Sequence, residues 1–346
     1  MDLYIKKNGV ILVVALWVLM FLSVLGMIAS GIVRGEIVLE KRTEESRLLY
    51  DIGSSGIANA ISFMKTNVEK ELSPESDSLN DVWVDNKVFF KKRRCGEGSF
   101  NVQFYYVDNM TGKSRECSGF LDEDRNLNIN TVSSTVLYRL LNKVAGIDPS
   151  RSVRLAAAIV DWRDADDIVG EGKDAFSESI TYGMGGGNAP KNSDFKAVEE
   201  LLLVKGMDPE VFVKIRDYVT VFGSGRVNIN TASRSVLLSL GLSDQLVEKV
   251  ILYRAGNDRL EGTPDDNLFS ATQNIINSVN AYTALTNSEK AELLAIIVQR
   301  NVDVKSGVFK AVCISELPDR NVRGETICIF DRNWDVKYWG FRYIIQ

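Results

Sequence analysis

Twenty-four consecutive residues, Val10 to Val33, carry no charged side chain. At about 1.5 Å of rise per residue, a helix of that length exceeds the roughly 30 Å hydrocarbon core of a bilayer. The run is also longer than the core of a cleaved secretory signal, which spans about 7–15 residues. A chain built this way is held to a membrane by one helix near its N-terminus. Lys6 and Lys7 precede the run and Arg34 follows it. Positive charge on the short leading segment favours a cytoplasmic N-terminus and a periplasmic remainder.

The helical pattern continues beyond the lipid. Leu48, Leu49, Ile52, Ile57, Ala60, Ile61 and Met64 recur at intervals of three and four, as on a helix packed against a domain. The first proline is Pro74. Gly26, Gly31 and Gly35 lie where this spine leaves the membrane. Each costs about 1 kcal/mol in a helix interior, so a local bend is expected there.

A length of 346 residues leaves room for two folded units beside the anchor. The net charge of −5 disfavours nucleic acid, whose phosphates are held by clustered Lys and Arg. Histidine is absent, which removes Ser-His-Asp and Cys-His catalysis and every His-ligated zinc or iron site. Chemistry by carboxylates or lysine alone stays open, but the reading is a structural subunit and not an enzyme. Four cysteines, Cys95, Cys117, Cys313 and Cys328, form two sequence pairs without a CxxC pattern. In an oxidising compartment they are disulfide candidates, above all Cys313 with Cys328. The alternative is four small buried thiols.

Residues from about 80 to 121 read as strands, including Ser99 to Val107, with a turn at Asp108 to Gly112. The stretches 308–314, 326–330 and 336–345 read as a closing three-strand meander. Between these blocks the chain turns helical and repeats itself. Asn128-Ile129-Asn130-Thr131 recurs one hundred residues later as Asn228-Ile229-Asn230-Thr231. Asn or Thr is expected to cap the helix that follows each copy. Gly146-Ile-Asp-Pro149, Gly206-Met-Asp-Pro209 and Gly241-Leu-Ser-Asp244 read as tight turns inside helix-hairpin-helix units. Such hairpins can bind DNA through backbone N–H groups, but Asp148 and Asp208 stand where they would repel phosphate.

Lys6-Lys7-Asn8-Gly9-Val10 resembles a prepilin leader, a short basic segment ending in Gly before the apolar helix. The resemblance implies removal of residues 1–9 between Gly9 and Val10 by prepilin peptidase. Most such proteins carry Glu at the fifth mature position, where this chain has Val14. The minor subunit K typically lacks that Glu. Val160-Asp-Trp-Arg-Asp-Ala-Asp-Asp167 and Leu203-Val-Lys-Gly-Met-Asp-Pro-Glu210 also resemble stretches of the general secretion pathway protein K family, as does the order of anchor, strands, helical insert and closing strands.

Two acidic loops stand out. The first holds Asp161, Asp164, Asp166, Asp167, Glu171 and Asp174, and the second Asp258, Glu261, Asp265, Asp266 and Asn267. Clustered carboxylates are hard-oxygen ligands of the kind calcium takes, although neither loop matches an EF-hand. By spacing alone they read as solvated loops; the family resemblance implies calcium.

The expected fold is α+β, a pseudopilin fold with a long N-terminal transmembrane helix packed on an antiparallel sheet, and a large inserted all-α domain containing helix-hairpin-helix units. Its parts are a leader (1–9), a transmembrane helix (10–33), a periplasmic helix (34–70), the first part of the sheet (71–125), the insert (126–300) and the closing strands (301–346). The resemblance implies a structural minor pseudopilin at the tip of a type II secretion pseudopilus in the inner membrane, supporting export of folded proteins. Its implied partners are minor pseudopilins I and J and the major pseudopilin, with no nucleic acid. The alternative is a membrane-anchored DNA-uptake protein using the hairpins.

Overall fold

The computed structural model describes residues 3–67, 75–164, 168–169, 176–177, 191–318 and 320–345. Helix α1 (Leu3–Asn67) is one unbroken helix of 65 residues. The helix is not interrupted at Gly26, Gly31 and Gly35. A Cβ at any of the three would meet nothing within 4 Å. A helix in lipid satisfies its own backbone, so even glycines keep the hydrogen-bonded path. From Val10 to Leu39 the large apolar side chains of α1 are exposed. Beyond them Leu49, Ile52, Ile57, Ala60, Phe63 and Met64 are buried.

That buried face lies on a six-stranded antiparallel sheet. Its strands are β1 (Arg93–Cys95), β2 (Gly98–Val102), β5 (Phe120–Asp122), β12 (Val308–Glu316), β13 (Val322–Asp331) and β14 (Val336–Ile345). The order is β1-β2-β12-β13-β14, with β5 also on β12. Period-two alternation turns Phe309, Ala311, Cys313 and Ser315 of β12 toward α1. The approach is close. A Cβ at Gly53 would collide with the Thr326 hydroxyl, and one at Gly56 with the Cys313 sulfur. The C-terminal meander follows the sequence reading, with longer strands.

The earlier strands differ from expectation. Residues 79–92 hold turns and the short helix α2 (Lys87–Phe90) in place of strand. The run Ser99 to Val107 breaks at Gln103. β2 stays with β12, while β3 (Phe104–Val107) leaves to form a separate hairpin with β4 (Ser114–Cys117). The Gln103 N–H still reaches Val312 O at 2.9 Å, which marks the last bond before the chain turns away.

The inserted region has its own apolar cluster, running from Leu127 to Val304. A second cluster joins α1, the sheet and the β3–β4 hairpin. The insert holds β6 (Leu127–Asn128), α3 (Ser134–Arg139) with a π turn (Leu140–Val144), and α4 (Pro149–Arg163). The two-residue strands β7 (Ile168–Val169) and β8 (Phe176–Ser177) follow. Next come α5 (Pro209–Ile215), β9 (Val219–Thr220), β10 (Val227–Asn228), α6 (Arg234–Leu240) and α7 (Asp244–Arg254). The insert ends with α8 (Ile275–Tyr282), α9 (Asn287–Val298) and β11 (Val302–Asp303). It leaves the sheet after β5 and returns at β12, two strands paired to each other through Asp122↔Phe309.

Candidate functional site

The two Asn-Ile-Asn-Thr copies build the same device twice. β6 pairs in parallel with β9, and β10 in parallel with β11. Asn128 and Asn228 each accept their own +2 backbone N–H at 2.9 Å, a local turn. The second Asn of each copy clamps a distant phenylalanine. Asn130 Nδ2 donates to Phe195 O at 3.0 Å and Asn130 Oδ1 accepts from Phe195 N at 2.8 Å. Asn230 does the same to Phe269, at 3.0 and 2.9 Å. Each device also takes an arginine from the end of the second helix. Arg163 donates to Ile129 O and Val132 O, and Arg254 to Ile229 O and Ala232 O. The capping residue is neither the Asn nor the Thr. Ser133 and Ser233 accept from Val136 N and Val236 N, because the Asn oxygens are already occupied by the turn.

The three glycine turns behave in two ways. Gly146, Gly206 and Gly241 all adopt positive φ. Asp148 and Asp208 cap the next helices with proline at the first position. Arg151 bridges the two turns to Asp208, and this hydrogen bond holds the Asp208 carboxyl below its ordinary range. Ser243 makes no side-chain cap; its N–H donates to Glu292 instead, at 2.7 Å. Ahead of Gly206 the chain forms a 3-10 turn (Val198–Leu203), not an α-helix.

The acidic loops follow the two arginines, at matching places in the two devices. In the first, Asp161 is buried in α4 and Asp164 ends that helix. Asp166, Asp167, Glu171 and Asp174 lie outside the described residues. In the second loop the carboxylates fasten the loop itself. Asp265 Oδ2 accepts from Asn257 N (2.8 Å) and Asp258 N (3.1 Å), and Asp258 Oδ1 accepts from Leu260 N (2.8 Å). Asp266 accepts from Gly262 N at 2.6 Å. The hydroxyl of Thr263 and these backbone donors hold the Asp265 carboxyl low, whereas burial raises that of Asp266. Asn267 donates to Tyr253 O at 2.9 Å. Glu261 is fully engaged. It ion-pairs with buried Arg254, and its second oxygen accepts from Tyr106 OH (2.5 Å), Asn109 N (3.0 Å) and Asn109 Nδ2 (2.8 Å). Burial and this carboxylate push the Tyr106 hydroxyl far up. Among the described residues, no three carboxylates or thiols converge as a metal shell. The described part of the second loop thus does not fit a many-oxygen calcium site.

A third polar cluster lies where the insert meets the sheet. Asp122 accepts from Asn228 Nδ2 (3.1 Å) and Thr231 Oγ1, and Asp124 from Gly307 N (2.6 Å) and Val308 N (3.1 Å). Asp77 accepts from Ser306 N (2.7 Å) and pairs with Arg332. Asp81 lies nearby, accepting from Ser78 N (3.0 Å) and Trp83 Nε1 (3.0 Å). Burial dominates these groups. It lifts Asp122 to about 6, and Asp81 and Asp124 to about 7. Sequence reasoning missed this cluster, because its members are scattered from Asp77 to Arg332.

The remaining sequence candidates are plain. Gly9 and Val10 lie within α1, and Val10 is exposed. All four cysteines are free thiols. Cys313 faces Thr326 and Cys328 faces Ala311, so the two are diagonal and not opposite. A diagonal pair stands roughly 7–8 Å apart, beyond disulfide reach. Cys117 is buried on β4 and Cys95 half-buried on β1. Burial raises the thiols of Cys117, Cys313 and Cys328.

Comparison with known proteins bears on the insert and on the fold separately. Residues 110–224 match the family described as Type II secretion system (T2SS), protein K. No curated protein matches the chain. A chain of the crystal structure of the GspK-GspI-GspJ complex from the enterotoxigenic Escherichia coli Type 2 Secretion System is similar in fold, with a TM-score of 0.61. At 13% identity, the similarity covers 89% of this chain and 99% of that one. The helix-and-sheet fold is shared with that structure, and residues 110–224 are similar to the type II secretion system protein K family.

Proposed function

We propose that the chain is a minor pseudopilin at the tip of a type II secretion pseudopilus, anchored in the inner membrane and supporting export of folded proteins. The observation that carries this reading is the protein K match inside a chain whose single exposed apolar helix continues into a sheet domain. Its partners on this reading are minor pseudopilins I and J, by similarity to the solved complex, and the major pseudopilin. Prepilin peptidase removes the leader. Val14 leaves the apolar helix without the carboxylate that other subunits would pair with a neighbour's amine, so nothing need stack beyond this subunit. The bulky insert blocks further addition. The test is co-purification of the periplasmic domains of all three minor pseudopilins, followed by immuno-electron microscopy of pili. A stable complex, with label confined to fibre ends, is expected. Label spread along the fibre length would remove the tip assignment.

Calcium belongs to the same proposal, at the first acidic loop. Asp161 and Asp164 are described there, and the other four carboxylates follow within ten residues. A ligand binding only the folded state adds about 2.7 kcal/mol at a hundredfold excess over Kd. The periplasmic part should melt higher in calcium than in EDTA, with a smaller effect of magnesium, whose octahedral shell tolerates such loops poorly. Asp164→Ala with Asp166→Ala should remove much of the shift. An unchanged melting temperature across millimolar calcium would reduce the loop to solvated surface.

A further inference from the structure

Strand β14 ends the main sheet, and its outer backbone edge pairs with no other strand among the described residues. It is ten residues long and contains no proline. Long apolar edges are normally blunted, because they template pairing with other chains. Here the register shift at Lys337 confines such protection to the start of the strand, and the run from Tyr338 to Ile345 pairs with β13 without interruption. Val336, Tyr338, Trp339 and Ile345 are all exposed. The two cations of the strand do not guard the edge. Lys337 is held by Asp331 at 2.8 Å and Arg342 by Glu325 at 2.9 Å.

The edge is flanked by a hollow on each face of the sheet. On the α1 side, Trp339, Phe341, Tyr343 and Ile345 share one row, and Tyr50 packs edge-on against Trp339 and Phe341. A slot of about 600 Å³ runs there between Arg42, Arg47, Tyr50, Phe341, Tyr343 and Ile345. Arg42 and Arg47 are exposed, and neither has an ion-pair partner among the described residues. On the opposite face a broader groove of about 860 Å³ runs past Tyr338, Ile329, Ile327 and Phe222 toward the insert. One hollow is aromatic with two open cations, and the other sets Tyr338, Ile329, Ile327 and Phe222 beside charged side chains such as Lys310 and Arg216.

We infer that β14 takes up an extended strand from a partner protein, with carboxylates on one face of that strand and apolar side chains on the other. Strand addition draws affinity from main-chain hydrogen bonds and specificity from pockets for alternate side chains. An added strand sends alternate side chains to opposite faces. One row therefore enters the slot beside Arg42 and Arg47, and the other enters the groove beside Tyr338 and Phe222. The two guanidiniums favour carboxylates in the first row. This rests on the assembly reading only for which protein supplies the strand; the edge and its hollows are properties of this chain.

The test uses the full chain in detergent and a fluorescent ten-residue peptide that alternates Glu with Val, read by polarisation. Saturable binding is expected, with new hydrogen-exchange protection at β14 amides. The same peptide with Lys in place of Glu should fail. Arg42→Glu with Arg47→Glu, both on exposed helix, should weaken binding by about tenfold or more, the scale of one or two lost charge-assisted contacts. Two further peptides, N-methylated at either the odd or the even positions, decide the geometry. Strand addition predicts that one set binds and the other does not. Equal binding of both, loss of both, or protection appearing elsewhere than β14 would overturn the inference. If the peptide binds as expected while pseudopilins I and J fail to co-purify, the edge site stands and the assembly reading falls.

Discussion

At the scale of single residues, the chain relies on buried charges that are paired with one another. Arg254 and Glu261 are 2% exposed each, and their pairing ties the end of α7, the second acidic loop and the β3–β4 hairpin together. Glu261→Gln would keep some hydrogen bonds but leave the guanidinium uncompensated. Breaking one side of a buried pair costs about 3–5 kcal/mol, whereas replacing both partners with apolar residues is often nearly neutral. Urea denaturation should show that loss for Glu261→Gln and partial recovery for Arg254→Met with Glu261→Leu. Equal stability of all three proteins would show that the pair is no anchor. In sequence, Glu261 looked like one more member of an acidic loop. Its role depends on Tyr106 and Asn109, about 150 positions away, which no local pattern reveals.

At the scale of elements, what a local pattern controls was legible. The uncharged run and the i, i+3/i+4 spacing gave α1, and alternation gave the closing meander, because each signal is the periodicity of one element meeting one apolar face. The Asn-Ile-Asn-Thr repeat was visible too, but its mechanism was not. Arg163 follows its first Asn by 35 positions and Arg254 by 26, so unequal spacing hid the second half of the device. The break at Gln103 was likewise invisible, since β2 and β3 carry one continuous alternation and only their partners differ. Helix α1 carries its own prediction. If residues 1–9 are a leader, membrane-extracted protein should begin at Val10, and Gly9→Leu should leave the precursor uncut. Intact-mass measurement decides this; a mature chain beginning at Met1 or near Ser30 would refute it.

At the scale of the whole molecule, the junction between insert and sheet is the part that weakens as pH rises. Asp81, Asp122 and Asp124 sit above their unfolded values because burial penalises the charged form, with Asp77 and Glu123 adding repulsion and Arg332 relief. The folded state therefore holds more protons than the unfolded one between the unfolded value of about 4 and the folded values of 6 to 7. Their contribution is fully present below that window and is lost as pH rises through it. With no histidine in the chain, few other groups titrate there. Melting temperature should fall between about pH 5 and 7 and level off above it. The slope should flatten in Asp124→Asn, each fully linked group being worth about 1.4 kcal/mol per pH unit. A flat or rising profile would contradict the burial argument.

The insert departs after β5 and returns on β12, and those two strands are hydrogen-bonded neighbours. Its two ends therefore stand about one strand spacing apart, some 4.7–4.9 Å. To the sheet, everything between Asp124 and Ser306 is equivalent to the connection of a hairpin. The cost of closing such a loop grows only slowly with its length. An appendage hung this way can lengthen, duplicate or be exchanged without altering the register of the strands that carry it. Both copies of the Asn-Ile-Asn-Thr device fit within that one connection.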